Sequence, residues 1–333
     1  MWLIRQHEAI GKGTHREKQQ ETQQHFPISS RALPEGSPTR RHQERHAGIP
    51  GCRVTGEQRR NFPSHAKLQP PPPPANVDAM ITSQFVSRIS LQRDKVDSFD
   101  RYPFALPAIR ALEQIDLHPK MTILVGENGS GKSTLLEAIA VALGFNAEGG
   151  SRNFNFGTRA SHSELHAFLR IARGVRRPKD GFFLRAESFF NVATEIENLD
   201  AEPMAGARVI DGFGGRSLHE QSHGESFLTL MTQRFRGEGL YILDEPEAAL
   251  SPQRQLAVLS RIHDLVAEGA QFIMATHSPL LMAYPDARIL QLTADGIEEV
   301  AYEDTEHYLV TRDFLANPAR MLRVLLSRDD QDD

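Results

Sequence analysis

The sequence predicts an α/β fold, a sheet with helices on its flanks, and three segments carry that prediction. Met121–Val125 is an unbroken apolar run, followed by a glycine-rich turn and then by a helical pattern over Leu135–Leu143. Gly239–Leu243 and Ala270–Ala275 are two further apolar runs, short enough to be buried strands. Between them Ser251–Glu268 has the period of a helix, with Pro252 suited to its first turn.

The turn after the first strand reads Gly126-Glu127-Asn128-Gly129-Ser130-Gly131-Lys132-Ser133-Thr134. It fits the phosphate-loop pattern G-x-x-x-x-G-K-[ST], and strand before plus helix after is the setting that pattern requires. Its glycines let successive backbone N–H groups turn inward toward phosphate oxygens. The following helix N-terminus adds partial positive charge at the same place. Lys132 is expected to reach the β- and γ-phosphates, and Ser133 to hold Mg²⁺.

The second strand runs into Asp244-Glu245-Pro246, about 110 residues beyond the loop. Asp244 is expected to hold the metal through its water shell. Glu245 is expected to polarise the attacking water, since phosphoryl transfer needs one carboxylate for the metal and another as base.

The rest of the chain sets limits. Its 39% hydrophobic and 24% charged residues suit a globular protein with a polar tail. No apolar run approaches the roughly 20 residues of a membrane span, and a single cysteine, Cys52, excludes an internal disulfide. These features predict a cytoplasmic protein. Residues 1–79 are rich in Gln, Arg, His and Pro, end near Pro70–Pro74, and carry roughly +5 against −10 for the remainder. They read as a disordered basic tail, either an over-extended start with Met80 as the true beginning or a segment that binds a partner. Residues 80–327 read as one ATPase domain with a helical lobe over roughly 188–236, and 328–333 as an acidic tail. Phe85–Leu91 and Gly181–Glu187 read as strands, Ala287–Leu292 and Ile297–Tyr302 as a closing pair around Asp295-Gly296, and the C-terminal segment as a helix to about Leu326.

Taken together, these motifs resemble those of the ATP-binding-cassette (ABC) ATPases. Gln221-Ser222-His223-Gly224-Glu225 stands where that family has its signature, before a helix over Ser226–Phe235; Ser222 and Gly224 match, His223 and Glu225 depart. Ala248–Ser251 follows Glu245 as the family's D-loop does, and Ala275-Thr276-His277-Ser278-Pro279 matches its switch-histidine segment. The resemblance implies an ATPase using ATP and Mg²⁺, with Lys132, Glu245 and His277 as catalytic residues and His277 on the γ-phosphate. It also implies a homodimer that closes around two nucleotides, Ser222–Glu225 contacting the partner's ATP. Ser222 as a plain helix cap is the alternative, and no use for the signature within its own chain is evident. The family's Mg²⁺-binding Gln is missing from the strand end Arg185–Phe189, where Glu187 or Ser188 could substitute. Tyr102, with Phe99 and Phe104 as competitors, is the candidate for stacking on adenine.

The interval between the two strand motifs leaves no room for long coiled coils. Asp-Glu-Pro-Glu-Ala-Ala-Leu-Ser-Pro with Ala-Thr-His-Ser-Pro looks most like the stand-alone ATPases related to the recombination (RecF-type), double-strand-break and overcoming-lysogenization-defect branch. That resemblance implies a nucleic-acid or protein partner; the alternative is the ATP-binding subunit of a membrane transporter with a separate permease. Arg170, Arg173, Arg176, Arg177 and Lys179 form a basic patch, read as a helix on which Arg170 and Arg173 share a face, serving either a nucleic acid or simply solvent.

Overall fold

The computed structural model describes residues 84–152, 163–187, 189–201, 208–220 and 223–327. The basic segment 1–79, Ser188, Gln221, Ser222 and the acidic tail 328–333 lie outside the described residues.

The strands are β1 (Val86–Leu91), β2 (Gln114–Asp116), β3 (Met121–Gly126), β4 (Leu169–Arg173), β5 (Asp180–Arg185), β6 (Gly239–Asp244), β7 (Gln271–Ala275), β8 (Arg288–Leu292) and β9 (Ile297–Val300). The helices are α1 (Pro107–Arg110), α2 (Lys132–Ala142), α3 (Phe189–Ala201), α4 (His223–Gln233), α5 (Pro252–Ala267), α6 (Pro279–Met282), α7 (Glu306–Ala316) and α8 (Pro318–Leu326). The main sheet has the order β5-β6-β7-β3-β8-β9, parallel except for the antiparallel edge pair β8–β9. A second, antiparallel sheet has the order β2-β1-β4.

The main sheet is covered on both faces, which explains why β3, β6 and β7 are buried at every position. Alternate residues of one strand therefore enter different cores. Ile123 and Val125 pack with Phe227 of α4 and Ile262 of α5. Leu124 packs with Leu135 and Ile139 of α2 and with Ile89 of the small sheet. Gln271 joins the two sheets from a buried position. Its Oε1 accepts from the N–H groups of Phe85 and Val86, and its Nε2 donates to the carbonyls of Val86 and His118. All four hydrogen-bonding positions of that amide are used, so its burial carries no unmet polar group.

Three sequence expectations are corrected here. Residues 169–173 form strand β4, so Arg170 and Arg173, an odd number of positions apart, fall on opposite faces rather than sharing one. Arg176 and Lys179 both pair with Glu238, so that part of the basic patch is neutralised. The C-terminal segment is two helices, because Asn317 leaves the helical region (φ −150°) and caps a new start at Pro318 by accepting from Arg320 N–H.

Candidate functional site

β3, β7 and β6 lie side by side, and their C-terminal ends deliver Gly126, Ala275 and Asp244 to one edge of the sheet. Ligands of open α/β sheets bind at that edge. Gly126 has φ +146°, and a Cβ there would sit 2.5 Å from the Leu292 carbonyl oxygen, so no other residue fits the exit from β3. Gly131, at φ +99°, turns the loop into α2. Lys132 is buried and folds back over the loop, donating to the carbonyls of Gly126 at 2.9 Å and Glu127 at 2.8 Å. Desolvation lowers its pKa, and Glu245, Asp244 and Glu247 oppose the shift. The hydroxyl of Ser130 is buried and has no protein partner. Polar atoms in that condition usually meet a ligand or water.

Ser133 and Asp244 come together as the sequence suggested, Ser133 Oγ donating to Asp244 Oδ1 at 3.0 Å. Burial pushes the Asp244 carboxyl up to about 6, against the opposing pull of Arg185. Arg185 is a residue that sequence reasoning missed. The β5–β6 register pairs it with Asp244, its Nε lies 3.6 Å from Asp244 Oδ2, and its Nη1 donates to Glu137 Oε2 at 2.6 Å. Glu187, in contrast, has a largely exposed side chain whose ion partner is Arg185. The strand end that lacks the Gln therefore presents an arginine to Asp244.

Glu245 is held in the left-handed region at φ +49°, with its N–H donating to the Ala275 carbonyl. A non-glycine residue in that region stores strain, a condition that concentrates at functional sites. His277 Nε2 lies 3.7 Å from Glu245 Oε1, too far for a hydrogen bond, and is itself buried without a partner. Desolvation, then Lys132, lowers the His277 pKa, favouring the neutral ring. Two further contacts fix this histidine. Its backbone N–H and the Thr276 hydroxyl donate to the two oxygens of Glu247 at 2.5 and 2.7 Å, and its Nδ1 lies 2.9 Å from Nε2 of His307. Neither Glu247 nor His307 was singled out from sequence. Glu247 could have been, since it follows the Asp-Glu pair by two residues.

Tyr102 is 63% exposed and its hydroxyl is 3.4 Å from Thr134 Oγ1. Phe104 is fully buried against Phe99 and Phe168. Of the three aromatic candidates, Tyr102 stands free beside the loop. It lines a cavity of about 230 Å³ with Asn128, Gly129, Lys132, Thr134 and Glu245.

The signature segment needs a correction. Helix α4 begins at His223, so Gly224 and Glu225 lie in its first turn instead of preceding it. They also have a use within their own chain. A Cβ on Gly224 would meet the Ala249 carbonyl at 2.7 Å, and Glu225 pairs with Arg254 at 3.3 Å. The start of α4 is thereby fixed to the segment after Glu245.

The Asp244 pKa gives a testable consequence for stability. The folded value, about 6, lies above the ordinary 3.8. The ionised group therefore opposes folding: stability is lost as pH rises from about 4 through 6, and the loss is complete above that. Without nucleotide or metal, Asp244→Asn is expected to be more stable than wild type by about 1–3 kcal/mol at pH 8, by roughly half as much near pH 5, and equal to it only near pH 3, below the unfolded value. Thermal unfolding across that range measures this; a destabilised variant at pH 8 would show that Arg185 outweighs burial.

Comparisons with known proteins agree with this geometry. Residues 104–184 match a family model described as "AAA domain", and residues 206–283 match one described as "AAA domain, putative AbiEii toxin, Type IV TA system". The chain is 26% identical over 210 residues to the hemin import ATP-binding protein HmuV of Rhodopseudomonas palustris, covering 58% of this chain and 78% of that one. It is 31% identical over 189 residues to the cytochrome c biogenesis ATP-binding export protein CcmA of Maricaulis maris, covering 54% of this chain and 83% of that one. A solved nucleotide-free ATP-binding cassette from an ABC transporter superposes with a TM-score of 0.42 at 16% identity, over 74% of this chain and 100% of the other. The phosphate loop, the Asp-Glu strand end and the 31% identity to CcmA over 83% of that protein place the chain in the family of ABC-type P-loop ATPases, enzymes that bind and hydrolyse ATP.

Proposed function

We propose that this ATPase closes as a homodimer around two Mg-ATP and couples their hydrolysis to a nucleic-acid or protein partner in the cytoplasm. The observation that carries the reading is the convergence of Lys132, the Ser133–Asp244 pair and the Glu245–His277 pair on one sheet edge. Gly126–Thr134 cradle the phosphates with their backbone N–H groups, the unpartnered Ser130 hydroxyl among the donors. Lys132 has three N–H donors and spends two on the loop, leaving one for a phosphate oxygen. Tyr102 stacks on the adenine.

The donor set fits Mg²⁺. Ser133 and Asp244 offer hard oxygens, and Mg²⁺ takes one or two protein ligands plus phosphate and water instead of a full protein cage. Held by Ser133 and Asp244, the ion would supply charge neutralisation at the nucleotide's phosphates. Glu245 accepts the proton of the attacking water, and His277 donates from Nε2 to the γ-phosphate. Ser222–Glu225 of each chain meet the partner's nucleotide.

A second reading is favoured by the names of the relatives. HmuV and CcmA are import and export proteins, so the chain could serve as the ATP-binding subunit beside a separate permease. Among its own described residues no helix is long and apolar enough to cross a membrane. The two readings separate when the Glu245→Gln protein is purified from its native host with Mg-ATP and its companions are identified. DNA or a non-membrane protein, with turnover of the wild-type enzyme rising when that companion is added, is the expected result. A polytopic membrane protein overturns the first reading in favour of the second.

A further inference from the structure

The two histidines at the site form a pair whose hydrogen bond has a direction. His277 Nδ1 and His307 Nε2 are 2.9 Å apart. Both rings have lowered pKa values, desolvation being the first cause in each, so both are neutral near pH 7. Each neutral ring has one N–H and one bare nitrogen, so one ring donates and the other accepts. The free end of the pair decides which way round it stands. His277 Nε2 is buried, unpartnered, and 3.7 Å from the Glu245 carboxylate. A bare lone pair there would face an anion and, in the complex, phosphate oxygens. An N–H there faces groups that accept it. The proton of His277 therefore belongs on Nε2, its Nδ1 is the acceptor, and His307 Nε2–H is the donor.

His307 is well placed for this. It sits in the first turn of α7, which Thr305 caps by accepting from Tyr308 N–H while its own hydroxyl donates to the Tyr302 carbonyl. Thr305 is fully buried, so the turn is anchored. The positive end of the helix also disfavours a second positive charge on His307. The charged groups around the pair are Lys132 and Glu245 on the His277 side and Glu306, Lys132 and Glu247 on the His307 side.

We propose that His307 is a positioning residue for ATP hydrolysis: its Nε2–H donates to Nδ1 of His277 and keeps the His277 proton on Nε2, facing Glu245 and the γ-phosphate. This rests on the reading that His277 acts at the phosphate, so the test separates the two. In protein labelled with ¹⁵N-histidine, with signals assigned by His277→Gln and His307→Gln, wild-type His277 is expected as the Nε2–H tautomer without any nucleotide. In His307→Leu that tautomer is expected to give way to a mixture. Turnover should fall about ten- to a hundredfold, as when other outer partners of working histidines are removed, with KM for ATP little changed. His307→Gln, whose amide can donate from nearly the same place, should restore both readouts. An Nδ1–H tautomer in wild type overturns the proposal, as does an unchanged tautomer in His307→Leu or equal losses in the Leu and Gln variants. A shifted tautomer with unchanged turnover, matched by an active His277→Ala, overturns instead the role given to His277.

Discussion

Glu245→Gln is expected to bind ATP normally and to hydrolyse it about 10²–10⁴-fold more slowly, the usual cost of losing a positioned base. The substitution keeps size and hydrogen-bonding reach but cannot accept a proton from water. Glu245 has a left-handed backbone and its N–H donates to the Ala275 carbonyl, a bond the change leaves in place. The loss should therefore appear in kcat and not in structure. Lys132→Ala is the contrasting case. It removes the ammonium that bridges the Gly126 and Glu127 carbonyls, so the loop loses its internal tie as well as a phosphate contact. That variant should fail at binding. Titration with a fluorescent ATP analogue, alongside phosphate release, separates the two defects. Near-normal turnover by Glu245→Gln removes Glu245 from the role of base.

What the sequence made legible, and what it hid, follows from how each feature is encoded. β3, β6 and β7 are buried on both faces and so read as continuous apolar runs. The phosphate loop is legible because its glycines, Lys132 and Ser133 fall within one short stretch of chain, residues 126–133. Features built by non-local pairing were not legible. Arg185 meets Asp244 only through the β5–β6 register. His307 meets His277 because α7 returns to the sheet edge, and nothing in either local sequence marks it. Residues 169–173 read locally as helix because arginines at positions 170 and 173 have helical spacing. The pairing of β4 with β1 overrides that local hint. The sequence also shows no internal use for Gly224 and Glu225. The contacts of Gly224 with Ala249 and of Glu225 with Arg254 again join segments distant in sequence.

Those internal contacts bear on the second large effect. The Glu245→Gln protein is expected to sediment as a monomer without nucleotide and as a dimer with saturating Mg-ATP at roughly tens of micromolar. A shift from mostly one state to mostly the other needs about 5.5 kcal/mol of differential binding. Two shared nucleotides would each supply about half of that, which a few charge-assisted hydrogen bonds to phosphate can provide. The start of α4 is suited to the task because it is held in advance. Gly224 abuts the Ala249 carbonyl and Glu225 is tied to Arg254, so little ordering cost remains when a phosphate arrives at the helix N-terminus. The same contacts join the start of α4 to the segment that follows Glu245. Ser222→Arg should abolish the ATP-dependent dimer while leaving ATP binding by each monomer intact, since in the proposed shared site it would put a bulky side chain where the partner's phosphate approaches. A monomer at saturating ATP sinks the shared-site mechanism, as does a Ser222→Arg protein that dimerises and hydrolyses normally. A dimer that forms without nucleotide would keep the shared site but move the ATP-dependent step from association to rearrangement of a standing interface.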